Sequence, residues 1–417
     1  MHILEPAHFE AVRAKRQAKE RSIHRRKKFK FVTVVLLLAM LINTGLYLRP
    51  LHSVAAKTFV PLIPTVQPNL IWPAFGQSAI GSLSQGVQSE TSGQKPIPMA
   101  SIAKVMLVVE VLKKKPLTSG ESGPLIPITE TDIEIYNKYV ENDGSVIKVN
   151  LGEKINEYQA LQAVLTQSAS NMADTLAIWA YGSMQEYHIS ANKDSLKLGM
   201  SRTTFAGDAS GFSPESTSTA HDLVILGQAA LTNPVIKGIV AQKNSEIPLL
   251  GTVMNSNYLL GYGGIIGIKT GNSDQAGGCY LFAATRKIFN QEITVVGANI
   301  GSPTLIQAMN VSLTLLDSYF AGFEEEVIIP KGAVVARYTA PWPANTTAVT
   351  AMDTSVLSWR GSKMVVKIEV NPIKSNSAAG NRVGTLFIQS PYAKTITPIS
   401  LSKTLAPPTS KWRFTRY

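Results

Sequence analysis

Cysteine occurs once in 417 residues, at Cys279. An intramolecular disulfide is therefore impossible, and no thiolate metal cluster can form within one chain. Charged residues reach only 16%, while 30 Gly and 23 Pro are too few for a collagen-like or low-complexity chain. With 45% hydrophobic residues there is ample material for a packed core, which excludes a disordered chain. Histidine is scarce too, with only His52, His188 and His221 beyond residue 50. His221 adjoins Asp222, and neighbours on a helix point in different directions, so the pair is no ready Ser-His-Asp relay. No partner ligands for zinc are evident, and neither a metal nor another cofactor is expected.

The net charge of +12 would suggest nucleic acid if it were spread over a folded surface. It is not: the first thirty residues hold ten Lys or Arg against three Glu, a net of +7. Phe31 to Leu48 follows with no charged side chain, long enough for about 27 Å of helix. This reads as a membrane-spanning anchor. Basic residues before it and few after it place the N-terminus in the cytoplasm and the remainder outside. A cleaved signal peptide is the rival reading, since Ser53, Val54, Ala55 and Ala56 are small or apolar. Export follows either way, and nucleic acid is not an expected partner.

Residues 50–71, with Pro61, Pro64 and Pro68, read as an extended extracytoplasmic linker. A helix is expected from Ser101 as N-cap to Pro116, followed by irregular polar sequence up to Asn150. Further helices are expected over 156–167, from about Asn171, over 184–198, over 220–231 capped by Thr219, and over 311–319. Strands are expected at 77–88, 268–272, 279–285 and 292–299, and from Phe323 the texture is strand-like throughout. The tail from Pro407 has no sustained apolar face and does not read as an amphipathic membrane helix.

Without a histidine base, a serine activated by lysine is the natural hydrolytic device, and Ser-x-x-Lys at a helix start puts both on one face. Four copies occur: Ser101/Lys104, Ser145/Lys148, Ser190/Lys193 and Ser400/Lys403. Ser145-Val-Ile-Lys148 lies in alternating sequence, where residues three apart face opposite sides. The copies at Ser190 and Ser400 lack apolar flanks that would desolvate a lysine. Lys104 is followed by Val105-Met106-Leu107-Val108-Val109, so its amine enters a buried helix where the charged form is disfavoured and the free base favoured.

The second feature is Gly267-Ile268-Lys269-Thr270-Gly271, followed by Asn272. A phosphate loop needs Gly directly before Lys, and Ile268 intervenes. A strand carrying Lys269 and Thr270 with Gly271 beside them suits a carboxylate clamp, with the backbone free to approach substrate closely.

Pro98 to Met106, then Ser168-Ala169-Ser170-Asn171, then Gly267 to Gly271, in that order, resemble the serine D-alanyl-D-alanine carboxypeptidases among the low-molecular-mass penicillin-binding proteins. The resemblance runs from about Trp72 to Tyr319 and includes Leu198-Gly199-Met200, Phe205 to Phe212 and Ser218 to Leu223. It implies an α/β (α+β) penicillin-binding/β-lactamase-like transpeptidase fold, an antiparallel sheet flanked by helices, with a small C-terminal β-rich domain. The corresponding division is a basic tail (1–30), an anchor (31–49), the linker (50–71), a catalytic domain (72–322) and a β-rich domain with tail (323–417).

The resemblance also implies roles: Ser101 as acylated nucleophile, Lys104 as base, Ser168 as proton relay, and Lys269 and Thr270 as holders of the terminal carboxylate of a D-Ala-D-Ala peptide. The N–H groups of Ser101 and Asn272 would form the oxyanion hole. The implied partners are peptidoglycan stem peptides as substrate, β-lactams as acylating inhibitors and the membrane. One departure stands out: the family's Ser-x-Asn reads Ser168-Ala169-Ser170 here, with Asn171 one place late. Ser170 is expected to donate a hydrogen bond to substrate. The alternatives are a β-lactamase, for which Glu215 is the nearest candidate deacylating glutamate, and a non-catalytic wall-binding protein on the same fold, motivated by Ser170.

Overall fold

A computed structural model describes residues 6–416 apart from Pro61, Pro64, Thr65, Pro248 and Leu249. Residues 1–5 of the expected basic tail, and Pro61 and Pro64 of the expected linker, lie outside the described residues. The helices are α1 (Pro6–Leu48), α2 (Ala103–Lys114), α3 (Glu130–Glu141), α4 (Glu157–Thr166), α5 (Ser170–Tyr181), α6 (Met184–Leu198), α7 (Ala220–Leu231), α8 (Pro234–Val240), α9 (Leu305–Phe320) and α10 (Ser410–Thr415). Contacts divide the chain into two units. One comprises 65–324 with 358–362, and the other 1–64, 325–357 and 363–417.

The first unit is built on a five-stranded antiparallel sheet with the order Ile265–Ser273, Gly277–Ile288, Gln291–Ser302, Gln77–Ser82, Ser89–Glu90. The strand Gly277–Ile288 is buried on both faces over residues 278–284. Cys279, Leu281 and Ala283 alternate with Tyr280, Phe282 and Ala284, all at most 0% exposed, so helices must cover both sides. α7 and α9 pack on the central strands. Gly227 of α7 lets the helix approach the sheet: a Cβ there would sit 2.8 Å from a Val296 methyl. The short segment 358–362 joins this unit through Trp359, which stacks on Tyr319 at 4.8 Å and donates its indole N–H to the Tyr319 carbonyl at 3.0 Å.

α4, α5 and α6 pack on α2, whose residues 103–108 are at most 1% exposed, and their buried side chains form one apolar cluster with it. Ser101 is not the N-cap of α2. It lies in a 3-10 turn, Ala100–Ile102, and the residue preceding α2 makes no side-chain cap. The expected irregular stretch up to Asn150 in fact contains α3. A capping box there pairs the Thr129 and Asp132 side chains and backbones, and its polar outer face hides the helical period from a hydrophobicity reading.

In the second unit the main element is a six-stranded sheet of order Ala56–Thr58, Val334–Thr339, Asn345–Thr350, Lys394–Leu401, Arg382–Gln389, Val365–Val370. The first strand comes from the expected linker: Ala56, Lys57 and Thr58 pair antiparallel with Tyr338, Arg337 and Ala336, and Val54 bridges Ile373. Residues 54–58 are thus part of a sheet, and Val54, at 4% exposed, belongs to its core with Tyr338, Ile373 and Leu386. Burying Val54 and completing the sheet edge offset the ordering of this segment. α1 is a continuous 43-residue helix. It is also the one helix among the described residues that is by itself long and apolar enough to cross a membrane.

Candidate active site

Three elements converge on Ser101. The turn at 100–102 carries it into α2, with Ala100 at φ +48°. Gly211 seats against that turn: its own φ is +71°, and a Cβ there would lie 2.0 Å from the Ala100 carbonyl oxygen, so only glycine fits. On the other side runs Ile265–Ser273, where a Cβ on Gly271 would stand 3.0 Å from the Ser101 backbone nitrogen and 3.1 Å from Ala100 Cβ. The strand edge therefore borders the Ser101 N–H, as close backbone approach to a reacting carbonyl requires.

Lys104, fully buried, extends its Nζ to three oxygens: Ser101 Oγ at 2.8 Å, the Ser210 carbonyl at 3.0 Å and Ser170 Oγ at 3.2 Å. Burial pushes its pKa down to about 7, against the pull of the Asp208 and Asp174 carboxylates toward the charged form. A neutral amine beside a serine hydroxyl is a base poised for nucleophile activation near neutral pH. Among the Ser-x-x-Lys copies, only this one has a serine–lysine hydrogen bond among the described residues.

Ser170 opens α5 and touches Lys104, whereas Asn171 faces away. One residue along a helix rotates the side chain by about 100°. Asn171 accepts from the Ile147 N–H and donates to the Ile147 carbonyl, both at 3.0 Å, and the Ser170 N–H donates to the Ser145 carbonyl at 2.7 Å. The 145–147 segment is thus a wall pinned onto the start of α5, outside any strand. Ser168 precedes α5 at φ +61° and is 9% exposed. Its hydroxyl makes no hydrogen bond among the described residues, so hydrogen bonds bring Ser101, Lys104 and Ser170 together but do not include Ser168.

Lys269 is 1% exposed and donates to the Thr270 carbonyl at 3.0 Å. Burial, and then mutual repulsion with the Lys104 amine when both are protonated, holds its amine well below the usual lysine range. Thr270 shares a hydrogen bond with Ser256 at 2.8 Å. Asn272 follows on the same strand, exposed, opposite Gly278.

A support layer behind Lys104 was not singled out as functional in the sequence. Asp208 accepts from the Ser210 N–H and hydroxyl, both at 2.7 Å, and from the Ser213 N–H at 2.6 Å, fixing the loop that offers the Ser210 carbonyl to Lys104. Asp174 accepts from Tyr139 Oη at 2.8 Å and from the Ala209 N–H at 2.9 Å. Burial, then Asp208, raises Asp174 to about 6. Phe205 to Phe212 signalled family resemblance in the sequence, but a backbone carbonyl as ligand leaves no residue-type signal. Glu215, the candidate deacylating glutamate, is exposed, and its backbone N–H donates to Ser213 Oγ at 3.3 Å. No group of three or more His, Cys, Asp or Glu that could hold a metal occurs among the described residues. Cys279 is buried, its thiol pushed up to about 11.

A serine–lysine pair at the head of a buried helix, bordered by a Lys-Thr-Gly strand edge of an antiparallel sheet, defines the penicillin-binding class of serine peptidase folds. Within that class, residues 83–300 match the D-alanyl-D-alanine carboxypeptidases, and the chain belongs to that family. It is similar to D-alanyl-D-alanine carboxypeptidase DacB2 of Mycobacterium tuberculosis, with 30% identity over 196 residues, 45% of this chain and 62% of the relative. The match thus spans less than two thirds of that relative's length. The fold resembles the crystal structure of D-alanyl-D-alanine carboxypeptidase DacD from Francisella tularensis, with TM-score 0.55, 18% identity, 83% of this chain and 97% of that one. Penicillin binding protein 5 from Haemophilus influenzae gives TM-score 0.55, 19% identity, 84% of this chain and all (100%) of the other.

Proposed function

We propose that the chain is a membrane-anchored serine carboxypeptidase that removes the terminal D-alanine from peptidoglycan stem peptides ending in D-Ala-D-Ala. The observation that carries this reading is the 2.8 Å contact between Ser101 Oγ and a fully buried Lys104 whose pKa is lowered to about 7. In this reading neutral Lys104 takes the Ser101 proton as Oγ attacks the carbonyl of the penultimate D-alanine. The developing oxyanion is met by the N–H groups of Ser101 and Asn272. Ser168 passes the proton to the departing amine, and water then hydrolyses the acyl-enzyme. Lys269 and Thr270 hold the substrate's terminal carboxylate, with Gly271 keeping the strand close to Ser101 and Ser170 taking the place of the family asparagine.

The two lysines divide the work electrostatically. An incoming carboxylate favours the charged form of Lys269, and that charge in turn favours the neutral form of Lys104. α1 supplies the anchor, with the basic segment in the cytoplasm and both folded units outside. The domain reading supported by the two units is a catalytic unit and a separate β-rich unit that incorporates residues of the former linker.

Intact mass spectrometry of the full chain in detergent, with a penicillin and a Ser101→Ala control, tests the nucleophile, and D-alanine release from a D-Ala-D-Ala peptide tests the activity. A slowly lost adduct dependent on Ser101 together with D-alanine release is expected. A rapidly lost adduct would point to a β-lactamase. Folded protein that neither acylates nor releases D-alanine would point to a wall-binding protein and overturn the reading.

A further inference from the structure

The C-terminal helix α10 docks on the end of α1 that follows the apolar stretch. Arg413 Nη1 donates to the Tyr47 carbonyl at 2.9 Å, and Arg416 Nη2 donates to the Arg49 carbonyl at 2.6 Å and the Leu46 carbonyl at 3.4 Å. Two guanidinium groups thereby satisfy the carbonyls that a helix C-terminus leaves unpaired. Tyr47 packs on Phe414 with ring centroids 5.5 Å apart, and Trp342 on Trp412 at 5.6 Å. Beside this joint opens a groove of about 410 Å³, lined by Arg49, His52, Trp342, Trp412 and Arg416 among others, a size within the range of roughly 300–1,000 Å³ for small-ligand sites.

Among the described residues, the groove is lined by Arg49 and Arg416 and by no Asp or Glu. Between Glu20 and Glu90 the chain has no Asp or Glu, and none follows Glu369. Arg416 Nε is buried and has no acceptor among the described residues, an expense that a bound anion would remove. Its guanidinium also lies 5.4 Å from the Trp412 ring centroid. Arg49 directly follows the last apolar residue, Leu48, so the groove opens where a membrane's headgroups begin if α1 spans it. Arginine with tryptophan is the pairing suited to that depth.

We propose that this groove is a binding site for the phosphate of an anionic phospholipid in the extracytoplasmic leaflet. The inference rests on the reading of α1 as a membrane span. A bound headgroup would fill the free Nε donor of Arg416 and fasten α10 and the end of α1 to the lipid surface.

The test is native mass spectrometry of the full chain in detergent with equal amounts of phosphatidylglycerol and phosphatidylcholine. Phosphatidylglycerol should be retained preferentially, and Arg49→Gln should cut the preference about fivefold, the value of one cation near a lipid surface. The Arg49 side chain makes none of the contacts that dock α10, so this variant spares the joint, and Arg49→Gln/Arg416→Gln should remove the preference. Penicillin acylation should be unchanged in both. A preference that survives the double variant, or that vanishes when Arg25, Arg26, Lys27 and Lys28 are instead changed to Gln, overturns the proposal. So does displacement of the lipid by inorganic phosphate at equal concentration, which would mark a free-anion site. Alkaline carbonate separates the two readings: a chain it releases from membranes refutes both, whereas a retained chain without lipid preference refutes only this one.

Discussion

Lys104 Nζ and Ser170 Oγ, sixty-six positions apart in sequence, meet at 3.2 Å, while the neighbouring Asn171 is turned away onto Ile147. The position of the family's asparagine is therefore filled by a hydroxyl that reaches the lysine. A carboxamide there would add a donor and extend further toward substrate. Ser170→Asn is expected to raise kcat/KM for D-Ala-D-Ala hydrolysis about tenfold, and Ser170→Ala to lower it about fivefold, each the scale of one hydrogen bond. Steady-state kinetics on both variants checks this, and an unchanged rate in both would exclude Ser170 from the reaction.

The base needs its amine uncharged. With Lys104 at about 7, the acylation rate by a penicillin should climb tenfold per pH unit below 7 and level off above it. Asp208 favours the ammonium form, so Asp208→Asn should move the midpoint to lower pH, even if loosening of the 208–213 loop also lowers the plateau. Stopped-flow acylation between pH 5 and 9 reads both quantities. An alkaline shift in the variant would refute the electrostatic assignment.

Gly271→Ala inserts a methyl 3.0 Å from the Ser101 nitrogen. The backbone on both sides is held by sheet and turn, so the strand must retreat from Ser101. Acylation should fall by about a hundredfold, the cost of losing an oxyanion donor, with little change in Tm. Wild-type acylation would show that the strand edge has no part in the chemistry.

Asn171→Ala strands the N–H and carbonyl of buried Ile147. A loss of about 2 kcal/mol is expected for two such bonds, which lowers Tm by roughly 4–8 °C in a unit of this size. Because Ser170 keeps its own contact with Lys104, kcat measured well below Tm should change less than stability. A variant as stable as wild type would mean that the 145–147 wall is held by other contacts.

The Ser101–Lys104 contact was legible because it is local: the two lie three positions apart at the start of a helix, and the apolar run after Lys104 announces its burial. The Lys-Thr-Gly strand was legible for a similar reason. What escaped depends on groups without a residue-type signature or on distant pairing. The Ser210 carbonyl could be any residue's carbonyl, and the direction of Asn171 hinges on the α5 boundary, where one position decides which wall a side chain faces. α3 was missed because its cap and outer face are polar, although Thr129 and Asp132 at capping-box spacing were there to be read. The strand at 56–58 has too few residues to show alternation, and its partners lie some 280 residues away in the chain.

That early strand gives the molecule a topological order. Because Ala56–Thr58 closes against Val334–Thr339, the whole of residues 65–324 is an insertion in a loop of the β-rich unit, whose sheet draws on both flanks of the insert. During synthesis the early strand emerges long before its partner and must wait unpaired while the inserted unit folds. Nascent chains stalled before residue 334 should therefore fold the unit that carries Ser101 and Lys104 while 54–58 remains open to protease. The sheet is completed last, when the late half of the chain returns to claim the segment that follows α1.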